Sequence, residues 1–347
     1  FDFKTKIDST LNFEVQSNYL SPNNYEQMVT KAYEARRDKN DTEDKAYLSD
    51  RKSEYYYSEN FEKVAVEYQK IHRYKQYDNI DSLWNEETGY FQKNGELILK
   101  QKTKSKQDDL YVLEAIFTDT NSARSIVKKY ILAKGVLYTL TANLDTLSKK
   151  SKYIENFFET FKPRLAEDYI SVLDDKANMF FNALNGTDSL ETERALKSVS
   201  NYIIFKDKDV DRLIGVIKNY DFPIRHIEAK AQLIEDLGKL NDPKILPFLT
   251  SSYSEFEETA LFQLAVLKAL AKQKNKTASK QLLTLLDKDI PLSGSKWETG
   301  AVFIPYSDTL KLAKELFPAV LNFTFVPGYK DPIYEMLGTA IDSNIIK

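Results

Sequence analysis

The sequence predicts an α+β protein, with an N-terminal antiparallel-sheet α/β domain over residues 1–163 followed by an all-α solenoid over 164–347. Three observations lead there. Apolar and polar residues alternate with period two through much of 55–145, the alternation stops at Pro163, and a segment of the second half recurs at a spacing of 33 residues. Length agrees with the division, because 347 residues exceed the single-core size of about 100–200 residues.

In the first half, residues 1–20 alternate in places (Phe1, Phe3, Ile7, then Phe13, Val15), and Ser21-Pro22-Asn23-Asn24 supplies a turn and a helix cap. A helix is expected from Tyr25 to Arg37, with Met28, Val29, Ala32 and Tyr33 on one face. Residues 37–54 are charged and aperiodic, the signature of a mobile loop. Residues 55–78 read as strand, with Val64, Val66 and Tyr68 facing opposite to Ala65, Glu67 and Gln69. Asn79 or Asp81 then caps a short helix carrying Leu83 and Trp84. Further strands follow a hairpin signal at Asn94-Gly95, and a helix at 147–161 puts Ile154, Phe157, Phe158 and Phe161 on one face. An antiparallel meander closed by a packing helix is the result.

Beyond Pro163 the pattern turns helical: 165–184, 189–205, 208–219, 225–239, 242–251, 255–273, 276–288, 306–321 and 329–342. Within it, residues 234–240 align with 267–273, so that Ile234 matches Leu267, Leu237 matches Leu270 and Gly238 matches Ala271. A Leu-rich second helix follows each copy. Such pairs cannot bury their apolar faces alone, and consecutive pairs stack.

On these residues the second half resembles a HEAT-like α-solenoid. The meander ending in "KGVLYTL" and "YIENFFETF" is similar to the Mog1/PsbP-like α/β sandwich, a class that implies interaction or accessory roles. The order of the two, with 308–318 and 328–343 near the end, resembles the region downstream of the TraB/GumN domain in large envelope proteins of Bacteroidota. The TraB domain's own GxxH and metal-ligand motifs are not matched, so the resemblance implies an accessory portion and not TraB-type hydrolysis. It also implies a periplasmic or outer-membrane-associated protein, while composition leaves the cytoplasm open. The chain begins with Phe1, which leads us to expect a processed protein or part of a longer one.

Composition narrows the function classes. Lys and Arg total 49 against 52 Asp and Glu, a balance that gives no footprint for nucleic acid. There is no Cys, which excludes disulfides, thiolate nucleophiles and sulfur-ligated zinc. No apolar run of about 18 residues marks a membrane span. His72 and His226, the two histidines, fall in different domains, His72 on a strand face and His226 at the exposed start of a solenoid helix. They form no zinc set. Asp207, Asp209 and Asp211 suggest a calcium loop, but Arg212 and Lys218 stand where an EF-hand needs Gly and Glu. Helix capping is the better reading. Ser293 with Lys296 and Ser125 with Lys128 both match the S-x-x-K pattern of serine acyl-enzymes, without the partner motifs acyl transfer needs. Nucleotide-binding glycine loops and the nucleophile elbow are missing as well.

What remains is binding, with no cofactor, no metal and no catalytic residue assigned. Residues 289–304 read as a long loop between solenoid helices whose Trp297, Phe303 and Ile304 meet a protein partner, another envelope protein; the alternative is that Trp297 tucks into the solenoid's own core. Tyr55, Tyr56 and Tyr57 divide in the same way between interface and core. The rival class is a hydrolase or carbohydrate-active enzyme with acid–base carboxylates at the domain junction, around 160–190.

Overall fold

The computed structural model describes residues 3–19, 51–92, 97–146, 150–164, 169–199, 202–256, 259–293 and 295–346. They form an α+β chain of two compact units, Phe1–Lys176 and Ala177–Lys347.

In the first unit, β1 (Lys4–Asp8) and β2 (Phe13–Ser17) form a small antiparallel sheet with the short β9 (Lys162–Pro163). The large sheet is made of β3 (Arg51–Tyr57), β4 (Lys63–Lys70), β5 (Leu97–Gln107), β6 (Leu110–Asp119), β7 (Arg124–Ala133) and β8 (Val136–Asp145). Its order is β3-β4-β8-β7-β6-β5, antiparallel throughout. The β5–β6 and β7–β8 connections are two-residue hairpins, and Asp108 and Lys134 take the positive φ such turns need.

Both faces of this sheet are apolar, so both need a cover. On one face Val112, Val127, Ile131, Tyr138 and Leu140 pack under helix α2 (Lys152–Thr160) and the small sheet, against Phe13, Phe157 and Phe161. Helix α2 starts where the Ser151 hydroxyl accepts from the Ile154 N–H. The opposite face holds Leu113, Phe117, Tyr130 and Leu132 beneath Leu83 and Trp84 of helix α1 (Ile80–Gln92). Asn79 caps α1, accepting from the Ser82 N–H at 3.0 Å.

Two sequence expectations change here. The 55–78 strand is two strands, parted by a turn in which the Ser58 N–H donates to the Glu62 carbonyl. In addition, 51–54 belong to β3 rather than to a loop. As the edge of the sheet, β3 carries charged residues such as Arg51, paired with Glu67 at 2.6 Å, and that composition imitates a solvated connector. The helix expected at 25–37 and the rest of the 37–54 loop lie outside the described residues.

The second unit is helical: α3 (Ala177–Asn185), α4 (Ser189–Ser198), α5 (Val210–Asn219), α6 (Ile227–Leu237), α7 (Ile245–Glu255), α8 (Ala260–Lys272), α9 (Lys276–Lys288), α10 (Lys296–Gly300), α11 (Ile304–Asp308), α12 (Leu310–Leu316) and α13 (Lys330–Asp342). Of the helix expected at 165–184, residues 165–168 lie outside the described residues, 169–176 are not helical, and α3 covers Ala177–Asn185. Before it, Val172 is tied by its carbonyl to the Tyr77 N–H, and backbone bonds to a neighbouring loop replace those of a helix.

Helix α6 packs on α8 and α7 on α9, while α7 and α9 each also flank α8. The closest approach is at Gly238, where a Cβ would stand 2.4 Å from the Ala269 carbonyl oxygen and 2.5 Å from its Cα. Beside it Glu235 clamps Lys268 at 3.1 Å and Lys272 at 2.6 Å, and the Gln273 amide donates to the Leu240 carbonyl at 2.8 Å. Leu237 and Leu270, matched in the sequence alignment, are both buried. Side-chain links at separations of 33 or 34 residues recur along the unit: Asn178 with Arg212, Asp207 with the Asn241 N–H, Asp211 with Lys244, Glu235 with Lys268, Ser254 with Lys288.

Gly238→Ala is expected to destabilise the chain by about 1–3 kcal/mol in urea unfolding, as overpacking against fixed backbone does. Gly215→Ala, in α5 with nothing near its would-be Cβ, should instead stabilise by roughly 0.5–1 kcal/mol. Equal effects of the two would contradict the close approach.

Candidate functional site

The residues singled out in the sequence separate into exposed and buried. Trp297, on α10, is 75% exposed, and Ile304, opening α11, is exposed too. Phe303 between them is 1% exposed, with its ring edge-on to Tyr329 at 6.3 Å, so it is a core residue and no part of an interface. The 289–304 stretch is therefore not all loop: α10 lies inside it. Its chain stays nearly helical up to α11 through bonds from Ala301 to Trp297, from Phe303 to Gly300 and from Tyr306 to Phe303. Seven residues apart on such a path, Trp297 and Ile304 share a side, while Phe303 falls inward.

Tyr56 is likewise a core residue. Its ring meets Phe13, Tyr19 and Phe157, and its hydroxyl donates to Asp8 at 2.6 Å. Burial and that carboxylate raise its pKa far above the usual phenol value. Tyr55 and Tyr57 are half-buried on the other side of β3, and the Lys63 ammonium lies 4.3 Å from the Tyr55 ring centre.

On the α1 side of the large sheet lies a polar cluster embedded in the apolar face. Cross-strand pairing aligns Glu67 with Thr139 and Tyr130, and places Lys128 in the next row beside Thr141. Burial pushes the Lys128 ammonium down to about 8, while Glu67 and Glu87 of α1 pull it back up. Glu87 is raised, chiefly by its own burial. The Tyr130 hydroxyl has no hydrogen-bond partner among the described residues. Ser125, the S-x-x-K partner of Lys128, sits three residues away on a strand and so points to the opposite face, where it donates to the Phe117 carbonyl at 3.2 Å. In the second S-x-x-K match, the Ser293 hydroxyl donates to Glu298.

The three aspartates near 208 go to three different partners. Asp209 is buried and accepts from the Lys206 N–H at 3.0 Å, Asp207 accepts from the Asn241 N–H at 2.8 Å, and Asp211 pairs with Lys244 at 2.7 Å. Among the described residues no group of three His, Asp or Glu could hold a metal ion.

His226 departs most from expectation. It is 7% exposed rather than at the surface, and its Nε2 is buried without a partner among the described residues. It closes the short 3-10 turn Ile224–His226 that leads into α6. Two adjoining grooves, of about 290 and 320 Å³, share Leu196, Arg225 and His226 in their walls. Gly186, Thr187, Ser189 and Thr192 line the first, and Lys197, Glu228, Ala229 and Gln232 the second. Glu193 sits between the cations, 3.3 Å from Lys197 and 3.6 Å from Arg225. Nothing local in the sequence marks this site, because its parts come from α4 and from the turn before α6.

No family model and no curated protein sequence matches the chain. Among solved structures, it is similar to a crystal structure of a Bacteroides thetaiotaomicron VPI-5482 protein, with a TM-score of 0.28 and 10% identity over 84% of this chain and 80% of that one. A likeness that weak carries no argument about fold or function.

Burial holds the His226 imidazole below its ordinary 6.5, and Arg225 and Lys197 push the same way against Glu193. The unfolded chain therefore takes up its proton first as the pH falls through 6.5, and stability is lost on the acid side of that value. Urea midpoints measured from pH 7.5 to 5 should fall more steeply for wild type than for His226→Asn. Parallel curves would show that the imidazole is not held neutral.

Proposed function

We propose that the chain is a non-catalytic protein-interaction module of a bacterial cell-envelope protein, on the periplasmic or outer-membrane side. In this reading the helical unit is a HEAT-like stack and the sheet unit a Mog1/PsbP-like companion. Placement in the envelope rests on the resemblance of that order to the accessory regions described above. For the helical stack, the support is the packing of α6 on α8 and α7 on α9 with its recurrent side-chain links.

The observation that carries the binding role is Trp297. A tryptophan three-quarters exposed on a short helix, with Leu292 and Ile304 of the same stretch also exposed, offers the aromatic anchor around which protein interfaces form. Its neighbour Phe303 has gone into the core, so the unit has an interior available at this place and leaves Trp297 outside it. The helices provide a firm base: Thr299 is buried and its hydroxyl donates to the Gly328 carbonyl at 2.8 Å, and Gly300 lies against Pro332 of α13. For the rival hydrolase reading, the two carboxylates that burial raises among the described residues, Glu87 and Asp236, both lie outside the 160–190 segment. That favours binding.

Trp297→Ala with Ile304→Ala should cost at least about 2 kcal/mol of partner affinity, roughly 30-fold, and leave the melting temperature unchanged. The measurement is co-purification of the tagged chain from its own cells, followed by titration of the recovered protein. Phe303→Ala is the control and should lower stability by about 3–5 kcal/mol. Full retention of the partner by the double variant would remove this face from the interface.

A further inference from the structure

Strand β5 ends the large sheet, and among the described residues it pairs with β6 alone. Its outer side therefore keeps a row of N–H and C=O groups outside the ladder. Native edges are commonly short, yet β5 runs 11 residues, about twice the usual strand, and none of its side chains is buried. Its charge is of one sign: Lys100, Lys102, Lys104 and Lys106, with no Asp or Glu from 97 to 107. At β3, the other end of the sheet, both signs are present as Arg51, Lys52 and Glu54. Lys100 marks a bulge in the pairing, while the other three lysines stand in the rows of Ala115, Leu113 and Tyr111 and so share the α1 face at successive positions. Lys104 pairs with Asp81 of α1 at 2.6 Å, Lys102 donates to the neutral Asn85 side chain at 3.2 Å, and the Lys106 ammonium lies 5.0 Å from the Tyr111 ring centre. Asp81 is the one carboxylate among the described residues within ion-pair distance of the row. Burial lowers the Lys102 pKa, and Lys104 presses the same way against Asp81. Asp108 and Asp109 follow at the hairpin turn, beside Lys106 and roughly 25 Å of strand away from Lys100. Glu114 stands in the row of Thr103 on the opposite face, where the Lys129 ammonium lies 3.9 Å from it.

We propose that β5 receives an extended acidic peptide segment as an added strand, its backbone on the open side of β5 and its carboxylates, at every second residue, beside Lys102, Lys104 and Lys106. In this mode main-chain bonds supply affinity and alternate side chains supply choice. Sign decides the occupant. Lysines on an edge keep identical edges apart, because like charges opposite one another destabilise a strand pair, so a second copy of β5 is disfavoured. The same lysines draw in a strand of opposite charge. The bulge at Lys100 interrupts the edge at one end and the turn after Gln107 closes it at the other, which leaves room for a partner of about seven residues. This site lies in the sheet unit and owes nothing to Trp297, so it adds to the interface reading without resting on it.

The test uses the full chain and a fluorescein-labelled Glu-Thr-Glu-Val-Glu-Thr-Glu-amide, followed by anisotropy at low salt and by hydrogen exchange. Binding should be saturable and should slow exchange of alternate amides within β5, those on the outer side of the strand. Lys102→Gln with Lys106→Gln should weaken it about 2- to 30-fold, the worth of two cross-strand ion pairs, with an unchanged melting temperature. Lys102→Glu with Lys106→Glu should reverse the preference, so that a peptide with Lys in place of Glu binds and the acidic one does not. The acidic peptide N-methylated at every residue keeps its charge but has no N–H donors, and it should not bind. No saturable binding, unchanged exchange in β5, or binding indifferent to both double variants would each overturn the assignment. Equal binding of the N-methylated peptide would overturn it too, by reducing the lysine row to a charge patch open to any polyanion.

Discussion

The helical unit depends on one backbone contact. At Gly238 the end of α6 comes so near Ala269 of α8 that no side chain fits between them. Once two helices meet at that distance, their flanking leucines have to interlock, which is why Leu233, Ile234 and Leu237 on one helix and Val266, Leu267 and Leu270 on the other are all buried. The Glu235 clamp on Lys268 and Lys272 then fixes the register along the axis. Helices α7 and α9 both flank α8 and meet one another, so they pack beside the same contact. A small residue at one position thus lets two of these helices meet at backbone distance.

The same packing decides which side chains are hidden and which are exposed. Short helices late in the unit hide Phe303 and Tyr306 and leave Trp297 and Ile304 exposed. At the other end the chain enters α6 through a 3-10 turn that forces His226 inward and Arg225 outward. The imidazole loses water, and the guanidinium keeps it.

Much of this was legible in the sequence. Alternation gave β6, β7 and β8, and the phenylalanine spacing gave α2, because strongly periodic segments bury a face regardless of their neighbours. The 33-residue match brought Leu237 and Leu270 to equivalent buried positions. Edge strand β3 was hidden by its own charges, since Arg51 serves the sheet through its backbone and solvent through its side chain. Phe303 was misread because α10 and α11 have five residues each, too few for a helical period to show. The His226 grooves were not legible at all: Glu193, Lys197 and Arg225 meet only through packing between elements, and a lone histidine at a helix start reads as surface until the neighbouring helix is placed.

The central claim is that the Gly238 contact holds the stack together as one packed array. Hydrogen exchange of the Gly238→Val variant tests it most directly. If the claim is right, amides in α6 and α8 lose protection together, by roughly 5- to 150-fold for a strain of about 1–3 kcal/mol. If α6 exchanges at the wild-type rate, or α8 stays protected while α6 opens, the two helices do not depend on one another at that point and the account fails.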